Sequence, residues 1–136
     1  MRLKLVTSFA AALLFAIPGA AHHSFVMFDT AKRVTLNGTV ATFQWTNPHV
    51  YIELEVPDGK GLKKWSIELG SPSILLKGGW KHTTLKKGDK IEVVSNPLRN
   101  GDPSALLFQM TLADGTKFGN GPGRGNDKGG NDKGAK

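Results

Sequence analysis

The sequence predicts an all-β domain with small α content: a five-stranded, OB-like Greek-key barrel with one short helix between strands three and four. Apolar side chains recur with a period of two through most of residues 32–112. The 17 glycines and 7 prolines disfavour a helix bundle. The order of elements, three strands, a helix and two strands, matches the OB-fold, and a small β-sandwich is the alternative.

The first strand is expected to change face along its length. Val34, Leu36 and Val40 share one face, whereas Phe43 and Trp45 fall on the opposite parity. Such a change is typical of a bulged or kinked strand that closes a barrel. The later strands alternate more simply, over residues 50–56, 65–69, 90–96 and 106–112.

The helix between strands three and four has recognisable start and stop signals. Ser71 and Pro72 form an N-cap and N1 pair, and the glycines at 78–79 end the helix. Met27 is expected to make a core contact between Phe25 and Phe28, and a soft axial ligand to a bound copper ion is the alternative. The predicted core is Val34, Leu36, Val40, Val50, Ile52, Leu54, Val56, Trp65, Ile67, Leu69, Ile91, Val93, Leu106, Phe108 and Met110.

Residues 1–21 have the composition of a cleavable signal peptide. Arg2 and Lys4 precede an uncharged run over residues 5–17, and small residues follow at 19–21. A transmembrane anchor is the alternative, but this run reaches only about 20 Å as a helix, against a hydrocarbon core of ~30 Å. We therefore expect export to the periplasm of a Gram-negative bacterium, with a mature chain that starts at His22 or at Ala21.

Length and charge limit the remaining chain to one small domain. The 136 residues include no cysteine, so the core must form without a disulfide. We expect a single domain over residues 22–118 and a disordered Gly/Asn/Lys-rich tail over 119–136. The domain has only a small positive excess and no basic stripe interleaved with aromatic residues, so neither a nucleic-acid partner nor a membrane span is expected.

Several motifs resemble those of a family of small exported proteobacterial proteins, catalogued as a domain of unknown function. They are H-H-S-F-V-M-F-D at 22–29, V-T-L-N-G-T-V-A-T-F-Q-W-T-N-P-H at 34–49, W-S-I-E-L-G-S-P at 65–72 and G-W-K at 79–81. The resemblance covers about residues 22–115. It implies a periplasmic location and a single β-rich domain, and it attaches no activity.

The sequence contains no recognisable catalytic motif. There is no cysteine and no G-x-S-x-G, and the serines fall in turns or a cap. Glu53 and Glu55 share one strand face, which is typical of a solvent-facing surface. We therefore expect a binding protein rather than an enzyme.

The tandem His22 and His23 form a candidate Cu(II) site at the processed N-terminus. If His22 is first, its α-amine and ring chelate copper, and His49 or His82 supplies a third nitrogen. If Ala21 is first, its amine, two amides and the His23 ring form the square-planar nitrogen set that Cu(II) prefers. The alternative is a solvated pair that binds no metal.

A second candidate site lies at the turn between strands one and two. Trp45, Asn47, His49 and Tyr51 are expected to line the barrel rim, a usual ligand position in OB-folds. Glu68 on strand three is expected to accept a hydrogen bond from His49. Such a rim would bind a small molecule or an envelope polymer without metal. The structural alternative is that Asn47 caps the turn and His49 bonds a neighbouring carbonyl.

Overall fold

The structure is a computed structural model that describes residues 25–121. Its elements are a 3-10 turn at Phe25–Met27, then β1 Val34–Gln44, β2 Tyr51–Pro57, β3 Leu62–Glu68, α1 Pro72–Lys77, β4 Lys90–Pro97, β5 Ser104–Leu112 and β6 Lys117–Gly119. The expected signal peptide, His22, His23 and the expected tail beyond Gly121 lie outside the described residues. Within residues 25–121, no helix is long and apolar enough to span a bilayer.

Five strands close into a barrel with OB topology. β1 pairs antiparallel with both β2 and β4, β2 pairs with β3, and β4 pairs with β5. Parallel pairing of Ser66–Glu68 in β3 with Ser104–Leu106 in β5 closes the barrel. With α1 between β3 and β4, this is the strand order and helix position of an OB-fold. The predicted fold is confirmed, and β6 is an added edge strand beside β5.

β1 changes face at a bulge, as its sequence pattern predicts. Its register against β2 shifts between Val40 and Thr42, after which Phe43 pairs with Ile52. Earlier in the strand, a Cβ on Gly38 would lie 2.6 Å from the carbonyl oxygen of Glu55. Glycine therefore lets β1 cross close to β2 where the barrel curves.

Most of the predicted core is buried. The predicted residues that are buried are Val40, Val50, Ile52, Leu54, Ile67, Leu69, Ile91, Val93, Leu106 and Met110. Leu36, Val56 and Trp65 are partly buried against this core. Val34 is only half-buried, because it is the first residue of β1, where β4 alone pairs with the strand. The core also includes residues outside the prediction: Leu75, Trp80, Leu85, Ala105 and Leu107.

The predicted inward orientation of Phe108 is wrong. β5 carries one extra residue against β4 at this position, so the inward-facing residues are Ala105 and Leu107 before the bulge and Met110 after it. Phe108 is half-buried instead, with the guanidinium carbon of Arg33 3.3 Å from its ring centroid. A bulge reverses the parity of every later side chain in the strand.

The described residues that follow the expected domain boundary at residue 118 contact the barrel. The Trp80 indole Nε1 donates a 2.8 Å hydrogen bond to the Gly119 carbonyl. The Asn120 Oδ1 accepts one from the Gly70 N–H at 2.6 Å. Residues 119–121, which were expected to belong to the tail, are thus joined to the barrel.

Candidate functional site

The first described residues form a strap, residues 25–29, which is fixed to the end of β4. The Asp29 N–H donates to the Pro97 carbonyl at 2.8 Å, and the Arg99 N–H donates to the Met27 carbonyl at 3.0 Å. Phe28 is 3% exposed and forms an isolated bridge with Leu98. Met27 is 56% exposed, so the expected core contact from this side chain is wrong. In the strap it is Phe28 that is buried.

His49 lies at the end of the β1–β2 loop, where backbone contacts fix its position. The Thr46 hydroxyl donates a 2.9 Å hydrogen bond to the His49 carbonyl. The next residue, Val50, continues the strand pairing. Its N–H donates to the Gly70 carbonyl, and its carbonyl accepts from the Leu69 N–H. The imidazole is therefore held on the outer surface of the barrel beside the end of β3.

The side chains of His49 and Glu68 are paired. The His49 Nδ1 lies 2.5 Å from the Glu68 Oε1. Glu68 is only 8% exposed, and Tyr51 faces it directly across the β2–β3 pair. The contact expected from the pairing of strands two and three is thus present in the structure.

Tyr51 contacts the same carboxylate. Burial, the negative charge of Glu68 and a hydrogen bond to it, in that order, raise the pKa of the Tyr51 phenol above its ordinary value of 10.0. Because both neighbours point their polar hydrogens at Glu68, this carboxylate orients the imidazole and the phenol together.

The pairing determines which imidazole nitrogen can bind a ligand. A proton on His49 Nδ1 that is donated to Glu68 leaves Nε2 with a lone pair. Histidines that bind metals usually donate their second ring N–H to a carboxylate or a carbonyl. This hydrogen bond fixes the tautomer and makes the nitrogen that binds the metal a stronger donor. The Phe25 ring of the strap lies beside this imidazole, with the ring centroids 6.3 Å apart.

Two of the predicted rim residues do not join this cluster. The Trp45 ring lies edge-on to Phe43, centroids 5.7 Å apart, and packs against the core. Asn47 is exposed and precedes a cis peptide bond to Pro48, while the hydroxyl of Thr46 closes the turn. Trp45 was expected at the rim, but it shares the parity of Phe43, which faces inward. The predicted rim thus reduces to three residues: His49, Tyr51 and Glu68.

The face of the barrel around this cluster carries three carboxylates, Glu53, Glu55 and Glu68, and one lysine, Lys64, which lies opposite Glu55 across the β2–β3 pair. Glu53 and Glu55 follow Tyr51 at alternate positions on β2, and the Ser66 hydroxyl donates to the Glu53 carboxylate at 2.8 Å. In OB-folds that bind oligonucleotides, the β2–β3 face and its loops contact the ligand. Carboxylates on this face repel phosphates, whose binding requires Lys and Arg.

Residues 25–121 contain no group of three or more His, Cys, Asp or Glu side chains close enough to hold a metal ion. His22 and His23 lie outside that range. His82 is exposed in the segment after α1.

Sequence reasoning missed the strap, which depends on long-range contacts of Asp29 with Asn96 and Arg99.

Comparison with solved structures finds similarity to the mitochondrial single-stranded DNA-binding protein Rim1 of S. cerevisiae. The identity is 14%, 60% of this chain and 93% of that chain are covered, and the TM-score is 0.46. No curated protein matches the chain. Residues 11–107 match the model of DUF6152, a family of unknown function, and the chain therefore belongs to that family.

Proposed function

We propose that this protein is an exported periplasmic binding protein that holds one Cu(II) ion between its processed N-terminus and His49. The ligands are the α-amine and ring of His22 together with the His49 Nε2. Three nitrogens in this arrangement suit the tetragonal geometry of Cu(II), and a chain without thiolates does not favour Cu(I). The protein would buffer or deliver copper rather than catalyse a reaction.

The observation that carries this proposal is the position of Phe25 against His49. The strap brings the Phe25 ring to a centroid distance of 6.3 Å from an imidazole whose Nδ1 is paired with Glu68. His22 precedes Phe25 by three residues, a span of up to about 10 Å in extended chain. The expected mature N-terminus can therefore reach the His49 Nε2 without rearrangement of the barrel.

Glu68 supports the proposed site without binding the metal. A carboxylate behind a metal-binding imidazole fixes the ring and strengthens it as a donor.

A mature chain that starts at Ala21 would bind copper differently. Its amine, two backbone amides and the His23 ring would complete a square-planar set without His49. The proposal takes the His22 start, because only that start uses the oriented imidazole. The two modes differ in their dependence on His49, which makes them separable by a single variant.

The proposal is tested by Cu(II) titration of the exported protein after mass spectrometry has identified its first residue. We expect tight binding by the native form and at least tenfold weaker binding by a form with one extra N-terminal Met. His49→Ala should weaken binding as well, whereas the matched variant His82→Ala should not. Equal, weak binding by the native and Met-extended forms would overturn the proposal.

A second candidate function is metal-free binding of a small molecule or envelope polymer at His49, Tyr51 and Glu68. It is favoured by the position of these polar side chains on the OB ligand face. This function does not depend on the N-terminus. A chain that starts at Ser24 should then keep its ligand, and a chelator should have no effect. Loss of ligand on removal of His22 and His23 would exclude it.

A further inference from the structure

We propose that the first four residues of β3 are a docking edge for an acidic peptide segment, which binds there as an added strand. These residues, which we call the open edge, are Leu62, Lys63, Lys64 and Trp65. In this mode of recognition, backbone hydrogen bonds hold the peptide and side chains select it. The open edge lies at the far end of β3 from Glu68, so the proposal does not depend on copper.

The open edge has a strand neighbour on one side only. β2 pairs with β3 along its whole length. On the other side, β5 pairs only with the last three residues of β3, Ser66–Glu68. Within residues 25–121, no second strand pairs with the open edge.

The contacts of Ser66 show which backbone groups point to the unpaired side. Its N–H donates to the Pro103 carbonyl at 3.0 Å, and its carbonyl accepts from the Ser104 hydroxyl at 3.0 Å. Both groups of Ser66 therefore point toward β5. Backbone groups alternate in direction along a strand, and β3 pairs with β2 without a register shift. Leu62 and Lys64 thus direct their N–H and carbonyl groups away from β2, where an added strand can pair with them.

The side chains of the open edge are basic in the middle and apolar at the ends. Leu62 is 65% exposed, and Lys63 and Lys64 are exposed on opposite faces of the strand. The Lys63 ammonium lies 5.5 Å from the ring centroid of the half-buried Trp65. Glu55 lies opposite Lys64 on β2, but neither lysine forms an ion pair within residues 25–121. The charges of the open edge therefore favour carboxylates on an added strand.

A second copy of this chain is a poor occupant of the open edge. In an antiparallel pair of identical strands, a two-fold axis at Lys63 or at Lys64 places that lysine opposite itself. An axis at Leu62 places Lys64 opposite Lys60, and an axis further along β3 would need backbone groups that already pair with β5. Like charges directly opposite each other destabilise a strand pair, and lysines protect many edge strands from self-association in this way.

The occupant that fits is an extended segment with the pattern apolar, acidic, acidic, apolar. Its acidic residues lie opposite Lys63 and Lys64, and its apolar residues lie opposite Leu62 and Trp65. The pattern is the same in both chain directions, so it suits parallel and antiparallel addition. Four extended residues span about 13 Å, which is the length of the open edge.

The test is isothermal titration of the exported, processed, metal-free protein with the peptide Thr-Val-Glu-Glu-Val-Thr, blocked at both ends. We expect saturable binding at up to millimolar peptide, and none by Thr-Val-Lys-Lys-Val-Thr. Two forms of the acidic peptide, N-methylated at alternate residues in the two possible phases, test the binding mode. Successive N–H groups of a strand point to opposite sides, so one form should bind and the other should not. Equal behaviour of the two forms, or no binding by the parent peptide, would overturn the proposal.

Hydrogen–deuterium exchange locates the bound peptide. The Lys64 amide should exchange rapidly in the protein alone, because its N–H points to the unpaired side. Bound peptide should slow this exchange about tenfold or more. The Trp65 amide points to β2 and should exchange slowly with or without peptide. A Lys64 amide that is slow in the protein alone, or that bound peptide does not slow, would contradict the proposed edge.

Variants separate the backbone contribution from the charge. Lys64→Pro removes the outward N–H without removing a hydrogen bond to β2, and it should weaken peptide binding about tenfold or more. Lys64→Gln keeps that N–H and should weaken binding only about two- to fivefold. The matched variants Lys81→Gln and Lys87→Gln, at exposed lysines elsewhere, should have no effect.

Far-UV circular dichroism verifies the fold of each variant. If Lys64→Pro does not fold, the two N-methylated peptides still decide the binding mode on the native protein. An equal effect of Lys64→Gln and of the matched variants would overturn the proposal. A dimer in solution that Lys64→Pro dissociates would overturn it as well, because a second copy would then occupy the edge.

Discussion

The Glu68 carboxylate is shared by the His49 imidazole and the Tyr51 phenol, and its Oε1 lies 2.5 Å from the His49 Nδ1. The three residues come from the β1–β2 loop, β2 and β3, so a single side chain couples three parts of the OB ligand face. Since Glu68 is largely buried, a change there affects both neighbours.

Glu68→Gln should weaken Cu(II) binding by about 10- to 100-fold, because the metal-binding imidazole loses the carboxylate that orients it. Isothermal titration of the processed protein measures the effect. Glu53→Gln is the matched control, since that carboxylate contacts Ser66 and not His49. An unchanged affinity in Glu68→Gln would show that this carboxylate does not support the metal site.

The single tyrosine of the chain should titrate above its ordinary pKa. Burial comes first among the causes that raise the pKa of Tyr51, and the charge and hydrogen bond of Glu68 follow. Tyrosinate absorbance in the ultraviolet should therefore have its midpoint above pH 10.0. Glu68→Gln should lower the midpoint only in part, because burial remains.

The same shift of the Tyr51 pKa has a consequence for stability. Below pH 10.0 the phenol is neutral in the folded and unfolded chains, so the full contribution of the buried phenol to the free energy of unfolding is present. Above that pH the unfolded chain ionises first, and the contribution is lost as the pH rises through the folded pKa. Urea unfolding at alkaline pH should show a steeper loss of stability in the native protein than in Tyr51→Phe.

Leu107→Ala should destabilise the fold more than Phe108→Ala, although Phe108 is the larger residue. Leu107 lies in the core, so its truncation to alanine should lower the free energy of unfolding by about 2–5 kcal/mol. Phe108 is half-buried beneath Arg33, so its truncation should cost about 1–2 kcal/mol. Urea unfolding free energies measure both, and the reverse order would mean that the bulge in β5 is misplaced.

Gly38→Ala should destabilise the barrel by about 1–3 kcal/mol, because the added methyl would lie 2.6 Å from the Glu55 carbonyl oxygen and 2.7 Å from Leu54 Cγ. Thermal unfolding of the variant measures this cost. Gly70→Ala is the control, since the nearest atom there is at 3.5 Å. Equal melting temperatures for the two variants would contradict the close approach of β1 and β2.

A chain that stops at residue 121 should be about as stable as the full chain, whereas one that stops at residue 118 should not. The shorter chain leaves the buried Trp80 N–H without the Gly119 carbonyl, at a cost of about 1–3 kcal/mol. It also removes the Asn120 side chain that accepts from Gly70. Comparison of the urea midpoints of the two truncated chains measures the difference.

The parts of the fold that sequence could predict are those governed by local patterns. The face change in β1 was visible because polar residues separate its apolar ones, and the helix because Pro72 and Gly78 mark its ends. In β5 the run Ala105–Phe108 is apolar throughout. Which of these residues face the core could not be predicted, because every residue around the bulge is apolar and no alternation with polar residues marks the two faces of the strand.

The candidate site was predictable only where it depends on strand pairing. Adjacent antiparallel strands place Tyr51 opposite Glu68, so the contact of Glu68 with His49 followed from the strand order. The strap depends instead on hydrogen bonds over more than sixty residues, such as that from the Asn96 side chain to the Asp29 carbonyl. No local pattern encodes such a contact, and the burial of Phe28 was missed for that reason.

The strap also bears on how the protein should be produced for study. Residues 25–29 lie against Leu98 and Arg99, and Phe25 lies beside His49. An affinity tag left on the N-terminus would therefore lie close to the β2–β3 face. Ligand screens on such material would sample an obstructed surface, and a polyhistidine tag would bring its own imidazoles. Purification handles therefore belong at the other end of the chain, after residue 136.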